Sequence, residues 1–182
     1  MIIGLAVMVA GILSMFATTF SLHAGKTLGY GPYMMGFVFM ICGLVMSMGQ
    51  AGIAGLLIDR WGEVSLVQGS FLLIYIALLL LMLVSDFVEV ALAVSLMASG
   101  IALINPALTS LISKKSTFDV GRRMGQLAGM SSMGLALGSF GGAGLYSMNI
   151  HLPYLLFSIL SGVTFLFMLW YKKYLMTDVK NP

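Results

Sequence analysis

A chain of 182 residues that is 60% hydrophobic and only 8% charged has too little polar surface to coat a water-soluble globule of its size. Its net charge of +3 comes from basic residues placed between apolar runs, which excludes the continuous basic face of a nucleic-acid-binding domain. The single cysteine, Cys42, lies within an apolar run and excludes an intramolecular disulfide and a cysteine-based metal site.

Apolar segments of about 20 residues, each able to cross roughly 30 Å of hydrocarbon, recur along the whole length and predict an all-α membrane protein with six transmembrane helices. The first span, 2–22, has no basic region ahead of it and no small-residue cleavage site, so it is not a signal peptide. A chain that begins inside a helix reads as a truncated frame or as one piece of something longer. The turn at 25–32 contains Gly25-Lys26-Thr27, but Phe20 stands where a phosphate-binding loop needs its first glycine.

The second span, 33–58, ends at Gly55-Leu56-Leu57-Ile58-Asp59-Arg60-Trp61-Gly62. Gly55 and Asp59 share a helix face at i,i+4 spacing, leaving room for a close neighbour, and Gly62 suits the left-handed residue that stops a helix. A carboxylate at a helix C-terminus is opposed by the helix dipole, so Asp59 calls for a compensating partner, either Arg60 or the N-terminal end of another helix. The plainer alternative is that Asp59 and Arg60 form a polar stop. The third span, 64–84, is the most uniformly apolar. The fourth, 87–113, contains Asn105-Pro106, and the missing proline donor predicts a kink near Ala102. Asn105 either satisfies the freed carbonyl or faces a cavity.

A polar stretch from Lys114 to Arg123 precedes the fifth span, 124–147. There Gly134, Gly138, Gly141 and Gly142 provide small residues for close helix packing in lipid. The glycine-rich run from Gly138 to Gly144 has no strand before it and is not a dinucleotide loop. The sixth span, 152–171, carries Pro153 in its first turn and ends among Trp170, Tyr171, Lys172, Lys173 and Tyr174, an interfacial anchor.

Of the nine basic residues, Arg60, Lys114, Lys115, Arg122, Arg123, Lys172, Lys173 and Lys180 fall on one side of this topology and only Lys26 on the other. By the positive-inside rule the Asp59 turn and the C-terminus are cytoplasmic in a multi-pass protein of the cell membrane. The six acidic residues and both histidines, His23 and His151, lie at span edges, in loops or in the tail. With no ionisable group near the bilayer centre, nothing supports an intramembrane enzyme, a catalytic residue, a metal site or a cofactor, and any proton-titrating residue is expected elsewhere.

The run Gly55-Leu56-Leu57-Ile58-Asp59-Arg60-Trp61-Gly62 resembles the Gly-x-x-x-Asp-Arg-x-Gly signature of the major facilitator superfamily. Glu63-Val64-Ser65 follows in place of a basic run, which points to the C-terminal copy. The segment from Gly100 through Asn105-Pro106 to Ser113, followed by Gly121-Arg122 and Gly125, is similar to the tenth helix, inner loop and glycine-rich eleventh helix of drug:proton antiporters in that superfamily. The six spans would then be helices seven to twelve of a twelve-helix transporter, forming one three-plus-three bundle.

That resemblance implies alternating access, proton-coupled efflux of small lipophilic molecules, and a partner in the form of the missing N-terminal half or a second bundle. It also implies that Gly55, Asp59, Arg60 and Gly62 act as a cytoplasmic latch, with Thr18, Thr19, Gln50, Asn105, Gln126 and Ser131 in the cavity wall. The sixteen methionines suit a pliable apolar pocket as well as ordinary gap-filling. Where the family often has Gly-Pro before paired glycines, this chain has Gly138-Ser139-Phe140-Gly141-Gly142, which leaves substrate and direction open. The competing expectation is a free-standing six-helix membrane protein with a structural or regulatory role, or a non-functional truncated transporter.

Overall fold

The computed structural model of the chain describes residues 2–115 and 120–178. Asp119 and Lys180 fall outside these residues, as do the side chains of Lys115, Tyr171, Lys172, Lys173 and Tyr174. The described residues are helical throughout apart from short joints: α1 (Ile2–Lys26), α2 (Pro32–Met48), a π-helical turn (Gly49–Ile53), α3 (Ala54–Trp61), α4 (Glu63–Leu80), α5 (Phe87–Lys115), α6 (Val120–Met148) and α7 (Leu152–Asp178). Because α2, the π-turn and α3 run on as one rod from Pro32 to Trp61, the molecule is a bundle of six rods.

Five of the six are long and apolar enough to cross a membrane. The exception is α6, whose 29 residues would reach about 43 Å at the α-helical rise, so length is not what it lacks. Its glycines and serines, together with the exposed Arg122, Arg123 and Gln126, dilute the apolar character, and of the glycines Gly134, Gly138 and Gly142 serve packing.

The joints follow from local chemistry. Pro32 opens α2 with a preset φ and no orphaned amide. Gly62 takes φ +77°, donates its N–H to the Ile58 carbonyl at 2.8 Å, and passes directly into Glu63, the first residue of α4. Two rods thus meet at a single glycine, with the Glu63 carboxylate at the favourable end of the α4 dipole. The third rod stops at Leu80, short of the expected 84, because the chain turns over residues 81–83. At the other extreme α1 continues past the expected 22 to Lys26.

Packing partners follow a consistent exchange. The first rod packs on the fifth (α1 on α6), the second on the fourth (α2 on α5), and the third on the sixth (α4 on α7). Swapping first with fourth, second with fifth and third with sixth maps these three pairs onto themselves, as expected of a three-plus-three repeat, whereas α4 also packs extensively on α5 and the exchanged pair, α7 on α1, touches only slightly. Phe16, Phe20, Phe71, Ile74, Met97, Ile101 and Ile104 form the buried centre. Hydroxyls within the rods donate back one turn, as in Thr19 to Met15 O (2.7 Å), Ser70 to Leu66 O (2.8 Å) and Ser99 to Ser95 O (2.8 Å), so they enter the bundle without an unsatisfied proton.

The tightest contact is the α1–α6 seam. A Cβ added at Gly134 would lie 2.3 Å from the Val7 carbonyl oxygen, and one at Gly138 would lie 2.2 Å from that of Gly11. At Gly142 it would lie 2.8 Å from Met15 Cγ. Val7, Gly11 and Met15 repeat at the same four-residue spacing, so the two backbones touch over two turns. Gly141, grouped with these glycines on sequence grounds, points instead into open space. Gly138→Ala is therefore expected to destabilise the purified chain by about 1–3 kcal/mol through backbone overlap. Gly141→Ala should stay within about 0.5 kcal/mol of the parent, and reversible denaturation in detergent checks both.

Candidate functional site

Three features of the bundle offer chemistry beyond packing. The first is a hydroxyl cluster at the edge of the α1–α6 seam. Ser14 Oγ and Ser139 Oγ are 2.5 Å apart, and Thr18 Oγ1 donates to the Ser14 carbonyl at 3.0 Å with Ser139 Oγ at 3.3 Å. All three side chains are half-buried. Ser14 and Thr18 are one turn apart on α1, and Ser139 follows the seam glycine Gly138, so the seam brings them together. Of the three, Thr18 was expected on sequence grounds as a wall position and its two partners were not; the i,i+4 spacing of Ser14 and Thr18 was the available signal.

The other expected wall residues divide by exposure. Thr19 is fully buried, its methyl near Gly142 and its hydroxyl bonded to Met15, so it does not face an open cavity. Gln50, Asn105 and Gln126 are exposed, and Ser131 is half-buried. Gln126 lines a shallow depression of about 410 Å³ with Ile3, Gly129 and Met130. The Asn105 carbonyl accepts from Thr109 at 2.9 Å.

The second feature is a break in the second rod. Gly52 leaves helical conformation (φ 162°, ψ −31°) within the π-turn, a type of irregularity that concentrates at functional sites. A Cβ at Gly49 would lie 2.7 Å from Ala102 Cβ on α5. Ala102 is four residues before Pro106, which has no N–H to give the Ala102 carbonyl. The two rods thus meet where each has an irregular hydrogen-bond ladder. Helix α5 itself continues through Asn105 and Pro106, and the interruption lies in the rod opposite. Val45, Met48, Gly49, Ile53, Ser99 and Leu103 enclose a largely apolar cavity of about 240 Å³ beside it.

The third feature is the charged turn. Asp59 and Arg60 are exposed and make no ion pair among the described residues. Cβ atoms placed at Gly52 or Gly55 would meet nothing within 4 Å, so the face shared by Gly55 and Asp59 is uncovered in this chain. The ion pair found among the described residues is one turn further on. Lys114 Nζ lies 2.5 Å from Glu63 Oε1, which also accepts from Ser110 Oγ at 2.8 Å. This clasp ties the start of α4 to the end of α5 and had no local sequence signal.

A multi-pass helical membrane bundle with a glycine seam, a broken rod and an uncovered Asp-Arg turn is the architecture these features define. The chain belongs to the Major Facilitator Superfamily, whose family model matches residues 2–181. Over 167 residues it is 31% identical to Multidrug resistance protein 2 of Bacillus subtilis (strain 168), covering 88% of this chain and 40% of that protein. The chain thus spans less than half the length of that relative.

The Glu63 clasp gives a further expectation. Glu63→Gln and Lys114→Gln should each lower unfolding free energy by about 0.5–1 kcal/mol, with the double variant losing no more than the worse single one. Additive losses in denaturation experiments would show that the pair is not coupled.

Proposed function

We propose that this chain is one lobe of a secondary transporter that exports small lipophilic molecules in exchange for protons, and that it works against a second six-helix lobe by alternating access. The second lobe is an N-terminal half or another bundle of the same fold. The observation that carries this reading is the uncovered face of α3. Asp59 and Arg60 stand exposed beside Gly52 and Gly55, with no ion-pairing side chain among the described residues to meet them. Such a face suits a partner helix whose positive N-terminal end or charged side chain approaches Asp59.

The family match along nearly the whole chain and the likeness to part of a multidrug resistance protein support transport and the substrate class. Thr18 with Ser14 and Ser139 would supply hydrogen bonds to a mostly greasy ligand, alongside Gln50, Asn105, Gln126 and Ser131 from the other rods. Methionine-rich surroundings would adapt to ligands of varied shape. The basic residues Arg60, Lys114, Arg122 and Arg123 favour a cytoplasmic location for the Asp59 end, and hence a cytoplasmic C-terminus in the cell membrane.

Proteoliposomes supply the test. The chain alone is expected to bind lipophilic dyes without proton-driven flux, and co-reconstitution with a complementary lobe should produce flux that collapses with the pH gradient. Robust gradient-driven transport by the chain alone would overturn the two-lobe reading. In the active pair, Asp59→Asn should slow turnover by about fivefold, the low end of coupling between two global states, with folding unchanged.

A further inference from the structure

The end of the bundle that carries the α1–α2 and α6–α7 turns holds a second polar cluster, which the proposed transport site does not use. Because α1 runs on to Lys26, His23 lies in the last turn of that helix, and its side chain is half-buried. The imidazole stands edge-on to Tyr154 of α7, with ring centroids 6.1 Å apart and planes at 73°. Tyr154 is 2% exposed, and Tyr146, near the end of α6, is 8% exposed. His23 Nδ1, the Tyr146 hydroxyl and the Tyr154 hydroxyl are all buried, and no described residue forms a hydrogen bond with any of them. Thr19 lies beside the Tyr154 hydroxyl, but its own proton goes to the Met15 carbonyl at 2.7 Å.

Three helices therefore each carry a buried polar atom with no hydrogen bond among the described residues; His23 stands against Tyr154, and Tyr146 is within electrostatic range of Tyr154. A buried donor or acceptor left unmade costs about 1–3 kcal/mol, and phenylalanine would fill either tyrosine position without that cost. A shared small partner removes the penalty. Water fits, because it offers two donors and two acceptors and is held in protein interiors by two to four polar groups.

We infer that His23, Tyr146 and Tyr154 form a water-binding, proton-responsive clasp joining α1 to α6 and α7. With neutral imidazole, one water O–H is donated to His23 Nδ1 and the other to a tyrosine oxygen, and the remaining tyrosine donates to the water oxygen. A proton added at Nδ1 turns that acceptor into a donor, so the water must reverse its orientation. The new charge is within electrostatic range of His151 in the α6–α7 turn. Among the described residues, the titratable and charged groups set around His23 are Tyr154 of α7, Tyr146 of α6, His151 of the turn and, on its own helix, Lys26, and none of them is a carboxylate. Acid therefore loosens this end of the bundle, and neutral pH closes it.

Two measurements on the whole chain in lipid nanodiscs test the clasp. X-ray hydroxyl-radical labelling is expected to modify Tyr146 and Tyr154 in spite of their burial, since bound water is the local source of radicals, and His23→Phe should suppress that modification. Absence of labelling at both tyrosines in the folded parent would overturn the proposal. Spin labels at the exposed positions Leu22 and Met148, in a Cys42→Ala background, should move apart by a few ångström between about pH 8 and about pH 5.5, the range over which histidine changes charge. His23→Gln should abolish the movement; an equal movement in that variant would also overturn the proposal.

Discussion

The fold depends on backbone meeting backbone along the α1–α6 seam. Lipid chains are as apolar as leucine, so two greasy helices gain little by turning from lipid to each other unless they fit closely. Gly134, Gly138 and Gly142 make that fit possible by presenting a side-chain-free stripe to Val7, Gly11 and Met15. The same glycines keep α6 from being apolar enough to stand as a span on composition alone. Its place in the bilayer comes from its neighbours. The seam also positions the hydroxyls of Ser14, Thr18 and Ser139, whose separation depends on how closely α1 and α6 approach.

Around this rigid seam the structure concentrates its irregularities in the second rod and its contact with α5. The π-turn at Gly49–Ile53 and the donor-free carbonyl of Ala102 lie at the same level, with Gly49 and Ala102 in near contact. Few intrahelical bonds oppose a change in direction there. Beyond the break, α3 is short, carries Asp59 and Arg60, and ends at the left-handed Gly62. A segment bounded by a break and a one-residue joint can tilt while α4, held to α5 by the Glu63–Lys114 pair, stays fixed. In a two-lobed carrier this is where movement at the lobe interface would be taken up.

The class of fold was legible because hydrophobic length is a strong signal: the apolar runs in this chain admit few arrangements other than spanning helices. The seam was legible in part. Four-residue spacing from Gly134 leads through Gly138 to Gly142, and three-residue spacing from Gly138 leads equally to Gly141, so sequence does not say which of the two faces the neighbour. Gly62 was legible from the charge step before it, and the structure gives it the positive φ that glycine tolerates.

The irregularity in the second rod had no counterpart in the sequence, whose one signal of a break, Pro106, lies in α5. Pro106 announces its missing donor, yet α5 stays helical and the rod facing it is the one interrupted, which depends on the contact of Gly49 with Ala102. Glu63 and Ser110 are 47 residues apart and meet only because α4 packs on α5. His23 stays at the edge of its span, in the last turn of α1, and what the sequence did not show is the Tyr154 ring beside it.

These parts describe a bundle that is well packed within itself and uncovered over the π-turn and α3, where a Cβ at Gly52 or Gly55 would meet nothing within 4 Å and Asp59 forms no ion pair among the described residues. The most direct measurement is cross-linking from a single cysteine at position 55, Gly55→Cys in a Cys42→Ala background, in native membranes containing a complementary lobe. The account predicts a specific covalent adduct between the two lobes that disappears when the partner is withheld. A cysteine there that reacts only with small reagents, and never with a second bundle, would contradict it.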